Sequence, residues 1–302
     1  MIMLTGIIAG LLSALLQAIS YVCSTGFMLK YKSSLRLVIF SQLAMGAFCL
    51  PFLPFLFPHR LLEVLPEFLL WTGAWIICFT VGQTAFFNTL RTIEASRMSS
   101  LLGLKIIVLS IIYVMIMRTQ LSLLQWIAVL MSTVAAVGMN WSGGARFSLK
   151  GMIWLLVTLV FYSLTDMTET HLVAMPKGGN IILDSLAIST VCYSLLGILT
   201  LPLLLKFRWT RKQFIKSLPF ALTWYLSQVA LFVCFGRLGT VFGNVIQASR
   251  GLISIGLGIL LLAIGLGKLD SRITPAMWVR RIAAAILMTA GIVLYSVARL
   301  QA

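Results

Sequence analysis

The sequence predicts an all-α integral membrane protein with ten transmembrane helices, arranged as two inverted five-helix repeats. Three observations support this fold class: an apolar composition, ten apolar runs of membrane-spanning length, and a similarity between the two halves of the chain. Of the 302 residues, 60% are hydrophobic and only 10% are charged, and the mean hydropathy is +1.05. This composition excludes a soluble globular protein of the same size.

Apolar runs of roughly 18 to 25 residues recur along the chain, separated by short polar breaks. Because an α-helix rises about 1.5 Å per residue, each run can cross a hydrocarbon core about 30 Å thick. The runs are continuous rather than alternating, which favours helices over the strands of a barrel. We number them spans 1 to 10; they cover approximately residues 4–29, 35–57, 68–90, 98–117, 121–139, 150–170, 183–205, 217–236, 243–266 and 276–297.

The two halves of the chain are similar when one is shifted by 145 residues. The aligned pairs are Gln83 and Gln228, Ala85 and Ala230, Phe87 and Phe232, and Lys105 and Arg250. We therefore divide the chain into a first repeat, residues 1–145, and a second repeat, residues 146–302. Since five spans are an odd number, the second repeat must enter the membrane in the opposite direction, as in the inverted repeats of many secondary transporters.

The basic residues test this arrangement, because Lys and Arg collect on the cytoplasmic side of a membrane. The loops between spans 1–2, 3–4, 5–6, 7–8 and 9–10 carry 14 bases, whereas the opposite side carries five. The loop between spans 2 and 3 has one base and its counterpart between spans 7 and 8 has five, so the halves have opposite bias. The count predicts termini outside the cytoplasm and assigns the net charge of +16 to membrane boundaries rather than to nucleic-acid binding.

Spans 4 and 9 each contain a base at membrane depth, Lys105 and Arg250. A charge placed there costs about 2.5 kcal/mol or more and usually faces a bundle interior or a water-filled cavity. Each base lies about 10 Å into its helix. Since the two helices run oppositely, we expect the bases on either side of the midplane, where they could pass an anion between two gates. Alternatively, Lys105 reaches toward the headgroups and Arg250 joins helices through backbone carbonyls.

Span 9 also carries a polar stripe of helical periodicity beside Arg250. Its members are Asn244, Gln247, Gly251, Ser254 and Gly258. Small residues alone would indicate close helix packing, but the two amides next to a guanidinium favour a ligand site. Gln83 and Gln228 are candidates for neutral hydrogen bonds to a ligand or between helices. The deep aromatic residues Tyr21, Tyr162, Trp224 and Tyr225 are candidates for shaping a pocket, although aromatic packing is the commoner use.

Two acids, Asp166 and Glu169, lie three residues apart on one face near the end of span 6. We favour an interfacial position for both. The alternatives are that they pair with Lys105 or Arg250, or that one of them carries a coupling proton.

The clearest sequence matches to a known family are NTLRTIEASRMSSLLGLKIIVLSIIYVMIMRTQLSLLQWIAVLMSTVAAVGM in the first repeat, and FGRLGTVFGNVIQASRGLISIGLGILLLAIG followed by RRIAAAILMTAGIVLYS in the second. Both resemble the drug/metabolite transporter superfamily, of the EamA-like type with ten helices in two five-helix repeats. They are similar to its unit of helix 3 end, small-residue turn, helix 4, short loop and Gly/Ala-rich helix 5. The sequence MRTQLS stands where family members often have Gly-Glu after helix 4.

The resemblance implies secondary transport and, against the charge count, cytoplasmic termini. The sugar-phosphate branch of the superfamily implies that Lys105 and Arg250 bind an anion, although Gly251 stands where that branch tends to have a second base. The proton-coupled multidrug-cation exporters of the superfamily rely on a glutamate in helix 1. Span 1 has no carboxylate, and its polar residues are Gln17, Ser20 and Tyr21, which argues against that function.

We expect a secondary-active transporter of a small organic metabolite, anionic or zwitterionic, that works by alternating access between the repeats in the cell membrane, the bacterial inner membrane. A neutral amino-acid exporter or a flippase for a lipid-linked phosphate is the alternative on the same scaffold, and an accessory membrane subunit is the alternative outside transport. The expected partners are the substrate, membrane lipid, and a coupling proton or counter-substrate, and the chain is expected to be a monomer or homodimer.

Enzymatic activity is not expected. The two histidines, His59 and His171, lie near interfaces, and no span presents a metal-binding or nucleophile–base constellation. The chain has no G-x-x-x-x-G-K-[ST] motif. We therefore expect no metal and no cofactor, and transport must draw on a gradient or on exchange.

Overall fold

The computed structural model describes residues 2–90, 98, 101–118, 120–138, 149–207, 210–263 and 275–300. Every regular element in these ranges is a helix. The longer helices are α1 (Ile2–Tyr31), α2 (Ser34–Cys49), α3 (Leu65–Thr89), α4 (Lys105–Met117), α5 (Leu123–Gly138), α6 (Leu149–Ala174), α7 (Ile181–Thr200), α8 (Arg211–Leu238), α9 (Thr240–Gln247), α10 (Arg250–Ala263) and α11 (Pro275–Leu300). Single turns at Leu53–Leu56 and Leu203–Lys206 follow α2 and α7.

Local signals set several helix ends. Ser33 caps α2 by accepting a hydrogen bond from the amide of Arg36, and Asn180 caps α7 by accepting one from the amide of Ile182. Between α8 and α9, Gly239 has a φ of +77°, which glycine adopts without the strain that a side chain would add. This turn allows α9 to start directly after α8.

Each of the ten predicted spans overlaps a described helix, and spans 4 and 9 are interrupted just before their bases. A 3-10 turn at Leu102–Leu104 leads into α4, and a turn at residues 248–249 separates α9 from α10. Lys105 is therefore the first residue of α4, and Arg250 is the first residue of α10. Broken membrane helices are typical of the substrate sites of secondary transporters.

Six helical segments of the described chain are long and apolar enough to cross a membrane. They are Met3–Tyr31, Ser34–Leu56, Leu65–Thr89, Gly151–Ala174, Ile181–Lys206 and Arg211–Leu238. The apolar helices within Leu102–Met117, Leu123–Gly138 and Ile282–Ala298 are shorter. The chain is a helical multi-pass membrane protein, while the full set of ten crossings and their inverted arrangement stay predictions.

The helices pack in pairs that relate the two halves of the chain. The most extensive contacts join α1 to α8, α3 to α6, α2 to α7 and α5 to α11. The 145-residue shift exchanges the first two pairs, and each of the other two joins corresponding helices. The crossing of α2 and α7 is close, because a Cβ added to Gly46 would lie only 2.6 Å from the Cα of Gly197.

The polarity of the described chain suits a lipid surrounding. Large apolar side chains such as Phe55, Leu70 and Leu205 face outward, whereas polar side chains such as Ser13 and Gln17 are buried. Burying apolar side chains between helices gains little free energy in a membrane, because the lipid tails are equally apolar. The interior of the bundle can therefore contain polar and charged side chains.

Candidate functional site

A small cavity lies between α1, α3, α4, α6, α8 and α10. Its volume is about 20 Å³, which is room for a single water molecule. Its polar and charged lining consists of Gln17, Lys105, Thr165, Asp166, Glu169, Gln228 and Arg250. Its aromatic lining consists of Tyr21, Phe79, Tyr162 and Trp224. The cavity therefore concentrates the few intramembrane charges of the chain inside an aromatic enclosure.

Lys105 is neutralised within this cavity by a carboxylate. Its Nζ lies 2.5 Å from Oδ2 of Asp166, and both side chains are buried. The same Oδ2 accepts a hydrogen bond of 2.6 Å from Nδ2 of Asn244. The ammonium also lies 5.9 Å from the ring centroid of Tyr162, within range of a cation–π interaction. Asp166 is thus held by an ion pair and an amide at once.

Arg250 has neutral neighbours instead. Its Nη1 donates a hydrogen bond to Oε1 of Gln17, and its guanidinium carbon lies 5.4 Å from the ring centroid of Tyr21. Its Nε is buried and has no hydrogen-bond partner among the described residues. No carboxylate in the described ranges lies within salt-bridge distance of this guanidinium. Arg250 is therefore a buried cation with spare donor capacity.

The contacts of the two bases obey the same 145-residue shift that relates the bases themselves. Lys105 meets Tyr162 and Asp166 on α6, and Arg250 meets Gln17 and Tyr21 on α1. Adding 145 to 17 and 21 gives 162 and 166. Phe79 and Trp224, which both line the cavity, are related in the same way. The cavity thus consists of two half-sites at corresponding positions. Each half-site combines the base of one repeat with the first helix of the other repeat.

Glu169 is the fourth charged side chain of the lining. It is 1% exposed, and its Oε1 accepts a hydrogen bond of 3.0 Å from Nε1 of Trp75. Its Oε2 is buried without a hydrogen-bond partner among the described residues. Unlike Asp166, this acid has no base in an ion pair with it in the described part of the chain.

These placements bear on two expectations. Asp166 forms an ion pair with Lys105, which was the alternative to the interfacial position that we favoured for Asp166 and Glu169. α6 continues to Ala174, and Asp166 lies about 12 Å from that end at 1.5 Å per residue. Packing of α3 and α4 against α6 buries both acids. Both bases line one cavity, and their placement on either side of the membrane midplane stays a prediction.

Other predicted site residues lie in or beside the cavity. Gln228 and Tyr21 line it, and Asn244 reaches it through Asp166. Gln247 instead connects helices, since its Nε2 donates a 2.6 Å hydrogen bond to Oγ of Ser13.

Three predicted residues are not part of the lining. Gln83 is buried elsewhere, and its amide atoms have no hydrogen-bond partner among the described residues. Tyr225 is half-buried, with its hydroxyl 3.2 Å from Oγ1 of Thr190. Ser254 is half-buried on α10.

Phe79, Thr165 and Trp75 are site residues that the sequence did not indicate. For Gln17 the sequence indicated a polar residue of span 1 but no role in a site. The repeat contained a usable signal, because shifting Trp224 and Tyr162 back by 145 residues leads directly to Phe79 and Gln17.

A separate open cleft lies at the end of the molecule where α3 begins and α6 ends. Its volume is about 460 Å³, and Glu63, Glu67, His171 and Lys177 contribute to its lining. Nε2 of His171 lies 3.4 Å from Oε1 of Glu67, and the imidazole packs against Trp71 with the ring centroids 4.2 Å apart and the planes tilted by 39°. Both members of this pair are well exposed, so they interact in a high dielectric. Across the described ranges, no group of three or more side chains is arranged to hold a metal ion.

Comparisons with known proteins agree with this architecture. The profile of the EamA-like transporter family matches residues 4–141. A solved structure titled "Crystal structure of protein" is 12% identical and has a TM-score of 0.67, and the match covers 98% of this chain and 99% of that one. At this identity the likeness shows the fold alone. The search of curated proteins found no match.

Proposed function

We propose, since residues 4–141 match the EamA-like transporter family, that the chain carries a small organic metabolite with one carboxylate-like charge across the membrane. The metabolite is a monoanion or a zwitterion, and the two repeats move it by alternating access. The membrane is the cell membrane, which in a bacterium is the inner membrane.

The buried guanidinium of Arg250 is the observation that carries this proposal. An unpaired charge in the membrane interior is expensive, and the cost falls when a counter-charge arrives. Its neighbours, Gln17 and Tyr21, are neutral. The buried Nε of Arg250 has no hydrogen-bond partner among the described residues. A planar guanidinium is suited to a carboxylate, which it can bind through two parallel hydrogen bonds. The substrate anion supplies the charge that this half-site lacks.

The aromatic residues of the lining indicate the chemical character of the uncharged part of the substrate. Tyr21, Phe79, Tyr162 and Trp224 offer apolar faces with a few polar groups at their edges. Such a lining suits an organic body rather than an inorganic ion. Gln228 adds a neutral donor and acceptor to the same lining.

The charges of the cavity argue against a doubly charged substrate. A phosphate monoester would bring two negative charges beside Asp166 and Glu169, and like charges in a low dielectric repel strongly. This disfavours the lipid-linked phosphate. An accessory subunit is disfavoured because an unpaired buried arginine costs stability without serving a scaffold.

The size and the surroundings of the cavity support alternating access. At about 20 Å³ the cavity is too small for a metabolite, because small-molecule sites hold roughly 300 Å³ or more. The helix breaks at Leu102–Leu104 and at residues 248–249 stand directly before the two bases. A change of backbone angle at either break would open the cavity toward one membrane face.

The test uses proteoliposomes and a protein-free metabolite extract from cells grown on ¹⁴C-glucose. We expect the wild-type chain to take up label above empty liposomes, and mass spectrometry of the retained label identifies the substrate. Arg250→Gln should reduce the uptake at least tenfold, or about 1.4 kcal/mol. The matched control is Arg211→Gln, because Arg211 is an exposed base at the start of α8. Equal uptake by wild type and Arg250→Gln would refute the assignment of the anion subsite.

A further inference from the structure

We infer that transport is coupled to one proton, which binds Glu169, and that the proton crosses the membrane together with a substrate of net charge −1. The inference rests on the proposed function, because it assigns the coupling ion of the same cavity. It also selects between the two substrate classes, since a zwitterion would need no proton.

The surroundings of Glu169 make it a site for a proton. Its side chain lines the cavity, it is 1% exposed, and its Oε1 is held by the indole of Trp75. Its Oε2 is left without a hydrogen-bond partner among the described residues. A protonated Oε2 becomes a donor, so it can bond to a water or to an acceptor on the substrate inside the cavity.

Asp166 does not have this freedom. Its Oδ2 is bound by Nζ of Lys105 at 2.5 Å and by Nδ2 of Asn244 at 2.6 Å. Both partners are donors, and Oδ2 accepts from both of them. The ion pair with Lys105 favours the ionised form of Asp166, whereas Glu169 has no such base paired with it among the described residues.

The titratable and charged groups around Glu169 come from four helices. They are Asp166 on its own helix, Lys105 on α4, Arg250 on α10, and Cys192 and Tyr193 on α7. From α3 it faces the indole of Trp75, which does not titrate. Among these groups Lys105 is already paired with Asp166. The ionised form of Glu169 therefore balances Arg250 across the cavity rather than in a direct ion pair.

Counting charges gives the stoichiometry. Lys105 and Arg250 bring two positive charges, and Asp166 removes one. When the cavity contains no substrate, ionised Glu169 removes the other and the buried site is neutral. When a monoanion binds Arg250, the site is neutral only if Glu169 has taken up a proton from water. The transporter changes between its two access states most readily when the site is neutral, because net charge in the membrane interior is costly.

One proton binds and leaves with each substrate anion. A proton from the water on one side forms an O–H bond with Oε2 of Glu169 as the substrate anion binds Arg250. On the other side the same O–H bond breaks, the proton returns to water, and the anion leaves. No other reactant is required, and one proton moves with each anion.

The first experiment places the proteoliposomes in the ¹⁴C-labelled metabolite extract and applies a pH gradient, acidic outside, with potassium and valinomycin holding the membrane potential at zero. One-to-one symport should accumulate the label about tenfold for each pH unit of gradient. Glu169→Gln should lose this accumulation but keep exchange of labelled for unlabelled extract at equal pH, since glutamine is permanently neutral like the protonated acid. The control is Glu63→Gln, because Glu63 is an exposed acid outside the central cavity.

The outcomes separate the two proposals. If wild-type proteoliposomes take up no label above empty liposomes, the proposed function fails. If they take up label but the pH gradient has no effect, or if Glu169→Gln accumulates label like wild type, the inference is overturned and the proposed function stands. A second measurement needs no substrate: the infrared band of a protonated buried carboxyl should grow as the pH is lowered in wild type and be missing in Glu169→Gln. A band that persists in that variant would assign the proton to another acid.

Discussion

The two half-sites of the cavity have the same layout and different charge. In one, Lys105 meets Asp166 and a tyrosine ring, and in the other Arg250 meets Gln17 and the ring of Tyr21. Each base begins a helix after a break, and each contacts a first helix of the other repeat. The difference in charge next to the base is the carboxylate of Asp166, since its counterpart, residue 21, is a tyrosine. Glu169, which also lines the cavity, corresponds to Ser24. One half-site therefore contains its own counter-ion, and we propose that a bound substrate supplies one to the other.

This difference should be visible first in stability. Asp166→Asn removes the counter-ion of Lys105 and leaves a buried ammonium, which should cost about 3–5 kcal/mol of unfolding free energy. The double variant Lys105→Gln with Asp166→Asn should recover most of that loss, because neither charge remains. Equilibrium unfolding in mixed detergent micelles measures both.

The comparison with the other half-site provides the control. Gln17→Ala removes only the neutral acceptor of Arg250 and should cost about 1.5–3 kcal/mol, as for a hydrogen bond to a charged group. If Gln17→Ala destabilises as much as Asp166→Asn, the two half-sites do not differ in the way that we describe. A double variant no more stable than Asp166→Asn would argue against the ion pair as the cause.

Copying the carboxylate into the second half-site is the next largest change. Tyr21→Asp places an acid at the position that corresponds to Asp166, beside Arg250. An internal carboxylate would then occupy the guanidinium, and uptake of the labelled metabolite extract should fall at least tenfold, or about 1.4 kcal/mol. The ring of Tyr21 is lost as well, so Tyr21→Leu is the control for aromatic contact. Comparable uptake by Tyr21→Asp and Tyr21→Leu would show that the added charge does not compete with the substrate.

The sequence predicted the helices well because the membrane leaves few options. Every backbone amide in lipid must bond within its own helix, so a continuous apolar run is enough to predict one. It also identified Lys105, Arg250, Gln228 and Tyr21, since charged and polar groups in such runs turn inward. The family resemblance is confirmed by the match to residues 4–141.

Other features depended on information that a single sequence lacks. The burial of Asp166 and Glu169 was not predicted, because the apolar run of span 6 ends at about residue 170, whereas α6 continues to Ala174. The rotation of each helix was also unknown. Gln83 and Gln228 are equivalent by sequence, but only Gln228 faces the cavity, and only packing determines that difference.

The smallest effect should come from the acid–base pair that lies outside the cavity. The side chains of His171 and Glu67 are 36% and 55% exposed, and their closest atoms are 3.4 Å apart. Water screens this pair, so Glu67→Gln should change the unfolding free energy by less than about 1 kcal/mol, in contrast to the several kcal/mol expected for Asp166→Asn. Unfolding at low and high salt sharpens the contrast, because salt screens an exposed pair and hardly affects a buried one. A loss in Glu67→Gln as large as that in Asp166→Asn would mean that exposure does not separate the two pairs, and that the cleft supports the packing of α3 on α6 as strongly as the central cavity does.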